Sequence, residues 1–295
     1  MERIIDKIEL RALGKINLGL DILGRRENGY HDVRMVMQTI YLYDRVILEK
    51  TTGAEIEIST NLKFLPVNEN NIAYKAAQML IEEFGIKEGV KIHLEKHIPV
   101  AAGMAGGSAN AAAVLYGMNI LYDLGLSETD LKERGVKLGA DVPYCIMRGT
   151  VLAEGIGEEL SPLPPMPKCY ILIAKPPVSV STKTAYEKFD ALENVEHPDI
   201  DGIIEGLENQ DLHKIASSMG NVLEDVTVEE APQIKEIRQL MMESGALGAM
   251  MSGSGPTVFG IFDKRSKAKA AAAKIKGKDL SRQIYVTNVH NVRRR

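Results

Sequence analysis

Residues 98–120, IPVAAGMAGGSANAAAVLYGMNI, set Gly103, Gly106 and Gly107 directly ahead of an alanine-rich stretch that otherwise reads as a good helix. Glycine at a helix start gives up stability that alanine keeps. Three of them in five residues therefore indicate that something comes close to the backbone there. A strand-like run, VKIHLEK (90–96), precedes them, Pro99 ends it, and the helical pattern begins near Ser108. Strand, glycine turn and helix make the layout of an anion cradle, because glycines let successive amides turn inward and a helix N-terminus carries about half a positive charge. Phosphate is the natural guest. No Gly-Lys-Ser/Thr follows, so the loop is not a Walker A motif, and its spacing is not G-x-G-x-x-G. Taken alone, the glycines fit equally a structural turn that packs the helix tightly on the strand.

A second glycine-rich turn, MMSGSGPTVFGIF (250–262), again adjoins a strand-like run, in the other half of the chain. By itself it reads as a sharp strand entry. Two such turns in separate halves suggest a ligand held between domains.

The chain has 295 residues, 45% of them hydrophobic, enough for two ordinary domains with real cores. Lys plus Arg number 36 against 40 for Asp plus Glu, a net charge of −4, which supplies no electrostatic footprint for nucleic acid or an anionic membrane. The basic run Arg293-Arg294-Arg295 reads as a solvated tail. The start, MERIIDKIELRAL, has no apolar signal core, and no 18-residue apolar run occurs, so a cytoplasmic protein is expected. Cys145 and Cys169 lie in apolar company without metal-ligand spacing and read as core residues.

The segment SPLPPMP (161–167) cannot continue a helix or sit in a central strand, so it reads as a connector between domains at 1–160 and 161–295. Before it, strand patterns run at 8–13, 33–40, 45–50, 54–59 and 90–96, with helices at 71–84, 107–124 and 127–138. After it, strands at 170–175, 257–262 and 282–289 alternate with helices near 182–190, 211–219, 231–244 and 264–275. The second half reads as an α+β sandwich.

Polar residues complete the pattern. In ALGKINLGLDILGRRENGYHDV (12–33), Lys15 and Asn17 are two apart and share one face of a strand. In LGADVPYCIMRGT (138–150), Asp141 sits between Gly139 and Pro143, where an N-cap or Asx turn is the ordinary use of an aspartate. Lys15 and Asn17 in AxxKINLGL, GRRENGYH at 24–31, PVAAGMAGGSANAAA at 99–113, LGADVPY at 138–144 and SGSGPTVF at 252–259 together resemble the GHMP kinase superfamily. GYH near residue 30 with GADVP resembles the member whose acceptor is 4-diphosphocytidyl-2-C-methyl-D-erythritol. The likeness covers nearly the whole chain in order.

That resemblance implies an α+β, two-domain GHMP kinase fold, with a left-handed βαβ in the N-terminal domain and a ferredoxin-like α/β sandwich in the C-terminal one. It implies ATP-dependent phosphorylation of the acceptor's 2-hydroxyl, a step of non-mevalonate isoprenoid precursor synthesis. A homoserine- or mevalonate-type GHMP kinase and a nucleotide-binding protein without catalysis remain the alternatives. Pro99, Val100, Ala101, Ala102, Gly103, Met104, Ala105, Gly106, Gly107, Ser108 and Ala109 form the implied ATP site, with 103–108 around the phosphates. Alanine stands at 101, 105 and 109 where glycine or serine is frequent in the family, so the left-handed turning is expected of Gly103, Gly106 and Gly107. The resemblance makes Asp141 the general base and Lys15 the cation that keeps it ionised and offsets charge on the transferring group. Tyr30 and His31 meet the cytosine, Tyr186 supplies the opposite aromatic face, and Asn17 orients the acceptor's hydroxyls. Mg²⁺ is expected to arrive with ATP, and no set of carboxylates stands out as its ligands. The partner is the cytidine-diphosphate substrate, with no nucleic acid or membrane, and the chain is expected to be a monomer or homodimer.

Overall fold

The structure is a computed structural model, and residues 5–292 are described. The arginine run 293–295 lies outside the described residues. Two compact units emerge, and they interleave along the chain. The first contains the described residues up to Gly14, Leu42–Ile98 and Ala105–Met147; the second contains Lys15–Tyr41, Pro99–Met104 and the described residues from Arg148 onward. Interleaving follows from two unusually long strands, β1 (Lys7–Arg25, 19 residues) and β2 (His31–Thr51, 21 residues), which contribute to both units. Ordinary strands run to about 5 or 6 residues. The strand patterns at 33–40 and 45–50 are thus one strand, and the run at 8–13 continues through Lys15 and Asn17. The units are accordingly cut differently from a single division at 160/161.

In the first unit, β3 (Ile56–Thr60), α1 (Ile72–Phe84) and β4 (Gly89–Glu95) form a β-α-β unit in which β4 runs parallel to β3, with Ile56 opposite Val90. On its other edge β4 pairs antiparallel with the end of β2, Arg45 opposite Glu95. Helix α1 buries Ala73, Ala76, Ala77 and Leu80, the spacing of one helical face. Helix α2 (Gly106–Leu121) is buried on nearly every side from Ala109 to Leu115, and its alanines allow that close packing. Helices α3 (Glu128–Leu138) and α4 (Val142–Met147) complete the unit, and both pack against α2.

In the second unit, β5 (Thr150–Glu154) pairs antiparallel with Met35–Gln38 of β2 and with β6 (Glu159–Pro162). The proline connector starts as this edge strand and continues without regular structure to β7 (Tyr170–Lys175). Helices α5 (Thr182–Phe189), α6 (Ile200–Glu208) and α7 (Leu212–Ser218) follow, then the two-residue β8 (Gly220–Asn221), which pairs with Gly19 and Leu20 of β1. Helices α8 (Glu224–Glu230) and α9 (Gln233–Glu243) lead into β9 (Gly248–Met251), β10 (Val258–Phe262), α10 (Arg265–Gly277) and β11 (Gln283–Asn288). The four-stranded sheet has the order β11-β7-β10-β9, antiparallel throughout. With helices between β7 and β9 and between β10 and β11, that is the ferredoxin-like β-α-β-β-α-β topology. Strand β10, VFGIF, is buried at every residue, as a central strand covered on both faces must be.

The patterning at 127–138 matches helix α3 closely because its start is written locally. Ser127 accepts the Asp130 amide at 3.2 Å, and Asp130 accepts the Ser127 amide at 2.8 Å, a reciprocal cap. Ser127→Ala is expected to lower unfolding stability by about 1 kcal/mol in chemical denaturation while leaving turnover unchanged.

Candidate active site

The backbone of residues 101–105 changes hand repeatedly. Ala101, Gly103 and Ala105 have φ of 49°, 67° and 53°, and the residues between them do not. Chain that alternates in this way turns its amides toward a common hollow, the geometry of an anion nest. The expected assignment of the turning to Gly103, Gly106 and Gly107 is corrected here: only Gly103 among them is left-handed, and two alanines share the work. A left-handed alanine costs roughly 1–2 kcal/mol, so the surroundings must impose it. Gly106 and Gly107 instead form the first turn of α2, which starts two residues before Ser108. Gly103 must be glycine for a further reason, since a Cβ there would fall on the Ser252 carbonyl oxygen.

Ala105 occupies the N-cap of the 16-residue α2 and offers no side-chain acceptor, and no acidic residue lies in the first turn. In the same unit Asn71 caps α1 and Ser127 caps α3. The cap therefore supplies no side-chain acceptor to the first amides of α2, at the positive end of a long helix dipole, an arrangement that favours an anion.

Lys15 and Asn17 lie side by side on β1, as their spacing predicts. Lys15 is only 5% exposed, and its ammonium donates to Asn17 Oδ1 at 2.7 Å. Among the described residues of its unit, no carboxylate pairs with it. The Lys15 amide donates to the Met104 carbonyl at 3.2 Å, which sets this strand directly against the loop. A buried ammonium with a neutral partner is costly, and an anionic ligand offsets that cost. Asn17 thus spends its carbonyl on Lys15, and its Nδ2 meets Met35 Sδ at 3.4 Å.

The second glycine turn meets the first through Ser252. Its hydroxyl donates to the Gly103 carbonyl at 3.0 Å and accepts the Asn17 amide at 3.4 Å. Asn221 Nδ2 holds the turn by donating to the Met251 and Gly253 carbonyls, and buried Glu224 accepts the Met251 amide at 2.7 Å while pairing with Arg238. Neither Asn221 nor Glu224 belongs to a recognisable motif, so sequence reading passes over both.

Asp141 is half-buried at the start of α4, where its carbonyl accepts the Cys145 amide at 3.0 Å, so the backbone fixes its place. Tyr30 ends the turn joining β1 to β2, closed by Arg26 N to Tyr30 O at 2.7 Å, and its ring is 59% exposed. His31 and Tyr186 are brought together, ring centroids 4.9 Å apart and tilted by 46°, so a base between them requires the rings to part. Asp190, at the C-cap of α5, accepts from His31 Nε2 at 2.6 Å and pairs with Arg25 at 3.2 Å. A proton on Nε2 points at the Asp190 carboxylate, and in that tautomer Nδ1 is the ring's acceptor. Nothing in the stretch around Asp190 signals this role.

Among the described residues no group of three or more His, Cys, Asp or Glu is placed to hold a metal ion. Cys145 and Cys169 are both buried and are not joined in a disulfide, and burial pushes the Cys169 thiol up to about 12. Among the described residues no helix is long and apolar enough to cross a membrane.

The chain matches the GHMP kinases N terminal domain over residues 71–149 and the GHMP kinases C terminal domain over 203–279. It is 55% identical to the 4-diphosphocytidyl-2-C-methyl-D-erythritol kinase of Lachnoclostridium phytofermentans over 96% of this chain and 97% of that protein. It is 56% identical to the enzyme of the same name from Lachnospira eligens, over 96% and 98%. A crystal structure of 4-(cytidine 5'-diphospho)-2C-methyl-D-erythritol kinase superposes with a TM-score of 0.83 at 30% identity, covering 97% of this chain and all of that one. Homoserine kinase from Cytophaga hutchinsonii shares the fold, with a TM-score of 0.80 at 23% identity over 98% and 96%. On these matches the chain belongs to the GHMP kinase family, among the 4-diphosphocytidyl-2-C-methyl-D-erythritol kinases.

Proposed function

We propose that this ATP-dependent kinase transfers the γ-phosphoryl group of ATP to the 2-hydroxyl of 4-diphosphocytidyl-2-C-methyl-D-erythritol, in the cytoplasm. The observation that carries the reading is the open N-terminus of α2 behind a loop left-handed at 101, 103 and 105. Backbone amides of 103–108 would hold the phosphates, and Pro99 to Ala109 as a whole would shape the nucleotide site. Phosphoryl transfer asks for alignment and charge stabilisation more than covalent chemistry. Lys15, held by Asn17, would offset charge on the transferring group, and Asp141 would accept the hydroxyl proton as it leaves. Mg²⁺, when bound with ATP, screens the phosphate charges.

For the acceptor's base, Tyr30 and Tyr186 would supply aromatic faces, worth on the order of 1–3 kcal/mol per stacked base. His31 would read the cytosine edge. With Nε2 tied to Asp190, its Nδ1 would accept from the exocyclic amine that uracil lacks. Asn17 would meet the methylerythritol hydroxyls through its remaining donor. Retention of a buried lysine with a neutral partner argues against a protein that has lost catalysis, since the charge costs stability when nothing uses it.

A coupled ATP assay with the cytidylated substrate, mevalonate and homoserine is expected to show turnover with the first alone. Preference for either of the others overturns the assignment. Asp141→Asn is expected to keep ATP-analogue affinity within threefold and to lower kcat by about 10² or more; unchanged turnover removes Asp141 from the mechanism. Asp190→Asn, whose amide can donate to the ring, is expected to raise KM for the cytidylated substrate about tenfold with KM for ATP unchanged, measured by steady-state kinetics.

A further inference from the structure

Asp44, in β2, is wholly buried at 0% exposed, and its carboxylate touches nothing that the chemistry above uses directly. Its Oδ1 accepts the amides of His97 and Ile98 at 2.7 and 2.8 Å, where the chain leaves β4. Its Oδ2 accepts Asn110 Nδ2 at 2.9 Å, from the second turn of α2, and the Lys96 ammonium. Lys96 in turn donates to Asn110 Oδ1 at 2.7 Å and to the Gly106 carbonyl at 3.4 Å. All three ammonium protons are thereby used, and the charge is matched by Asp44, so neither group is left to touch a ligand.

These bonds join two places in the chain: residues 96–98, where the chain enters the phosphate loop, and Gly106 and Asn110, where it leaves. Residues 99–105 are strung between them. Packing around Gly106 is close, since a Cβ there would come 3.1 Å from Ile98 Cγ2, which would have to give by a few tenths of an ångström. A buried ion pair is weak evidence for stability, since apolar residues of the same volume often serve as well. What the polar network adds is direction, as each bond fixes one backbone group in angle as well as distance.

We propose that Asp44, with Lys96 and Asn110, is a positioning residue for nucleotide binding: it fixes the separation of the two ends of the loop and so forces the left-handed turns at Ala101 and Ala105. The inference rests on reading 99–109 as the ATP site. Misplacing a binding backbone by a fraction of an ångström weakens the ligand held by its amides while sparing a ligand held elsewhere. The effect belongs on ATP and not on the alcohol.

The test uses the full chain and three variants: Asn110→Ala, Asp44→Asn, and the double variant Asp44→Asn with Lys96→Met. KM for ATP, KM for the cytidylated substrate, kcat, melting temperature and calorimetric affinity for a non-hydrolysable ATP analogue are measured for each. Asn110→Ala is expected to fold and to weaken the analogue and raise KM for ATP about tenfold, with KM for the alcohol within twofold. Asp44→Asn leaves Lys96 without a counter-charge and is expected to lose melting temperature as well. The double variant regains that melting temperature but not the ATP affinity, which separates geometry from stability. If Asn110→Ala and the double variant bind the analogue like wild type, or if both KM values rise together, the positioning role is overturned. Wild-type protein that fails to bind the analogue overturns the loop reading itself, a distinct result seen before any variant is made.

Discussion

An α-helix that begins without a cap leaves several amide donors unsatisfied, and most chains correct this with a Ser, Thr, Asp or Asn. Here α2 begins at Ala105 with no side-chain acceptor, although it is 16 residues long and buried along most of its length. Everything else that distinguishes the site follows from that omission. The loop before it must be small and of alternating hand so that its amides face the same hollow. On the helix side its neighbours Gly106, Gly107 and Ser108 are small and do not fill it.

Unsatisfied helix donors and a buried ammonium are each costly to maintain, and neighbouring interactions within each unit fix the backbone around them. Ser252 reaches from the second glycine turn to Gly103 and to the Asn17 amide, and Asn221 and Glu224 hold Ser252 in place from behind. Within the first unit, Asp44 and Lys96 hold the residues around the start of α2. Both supports place a buried carboxylate against backbone amides, a strong and directional bond in a low-dielectric interior. A left-handed alanine persists only where its surroundings over-determine it, as at Ala101 and Ala105.

Much of the fold was legible because its signals are local. The alternation at 90–96, the capping box at Ser127 and the buried run of β10 each depend on residues within one turn or one strand. The long strands were harder: β1 and β2 read as short pieces because polar residues such as Lys15, Asn17 and Gln38 interrupt their apolar pattern, and those residues are buried for reasons of partnership. The same masking hid β5 and β9, whose four or five residues carry too little pattern to stand out.

The sequence by itself determined the family, the neighbouring placement of Lys15 and Asn17 through the period of a strand, and the stretch that forms the loop. Tertiary structure decided which residues of that loop turn left-handed, because the hand is imposed by contacts that local propensity does not contain. It also decided the partners: Ser252 meets Gly103 across 149 residues of chain, Asp190 meets His31 across 159, and Asp44 meets Lys96 across 52. Spacing in a sequence reports which side chains share a face, but hydrogen bonds at such separations exist only once packing has brought the two segments together.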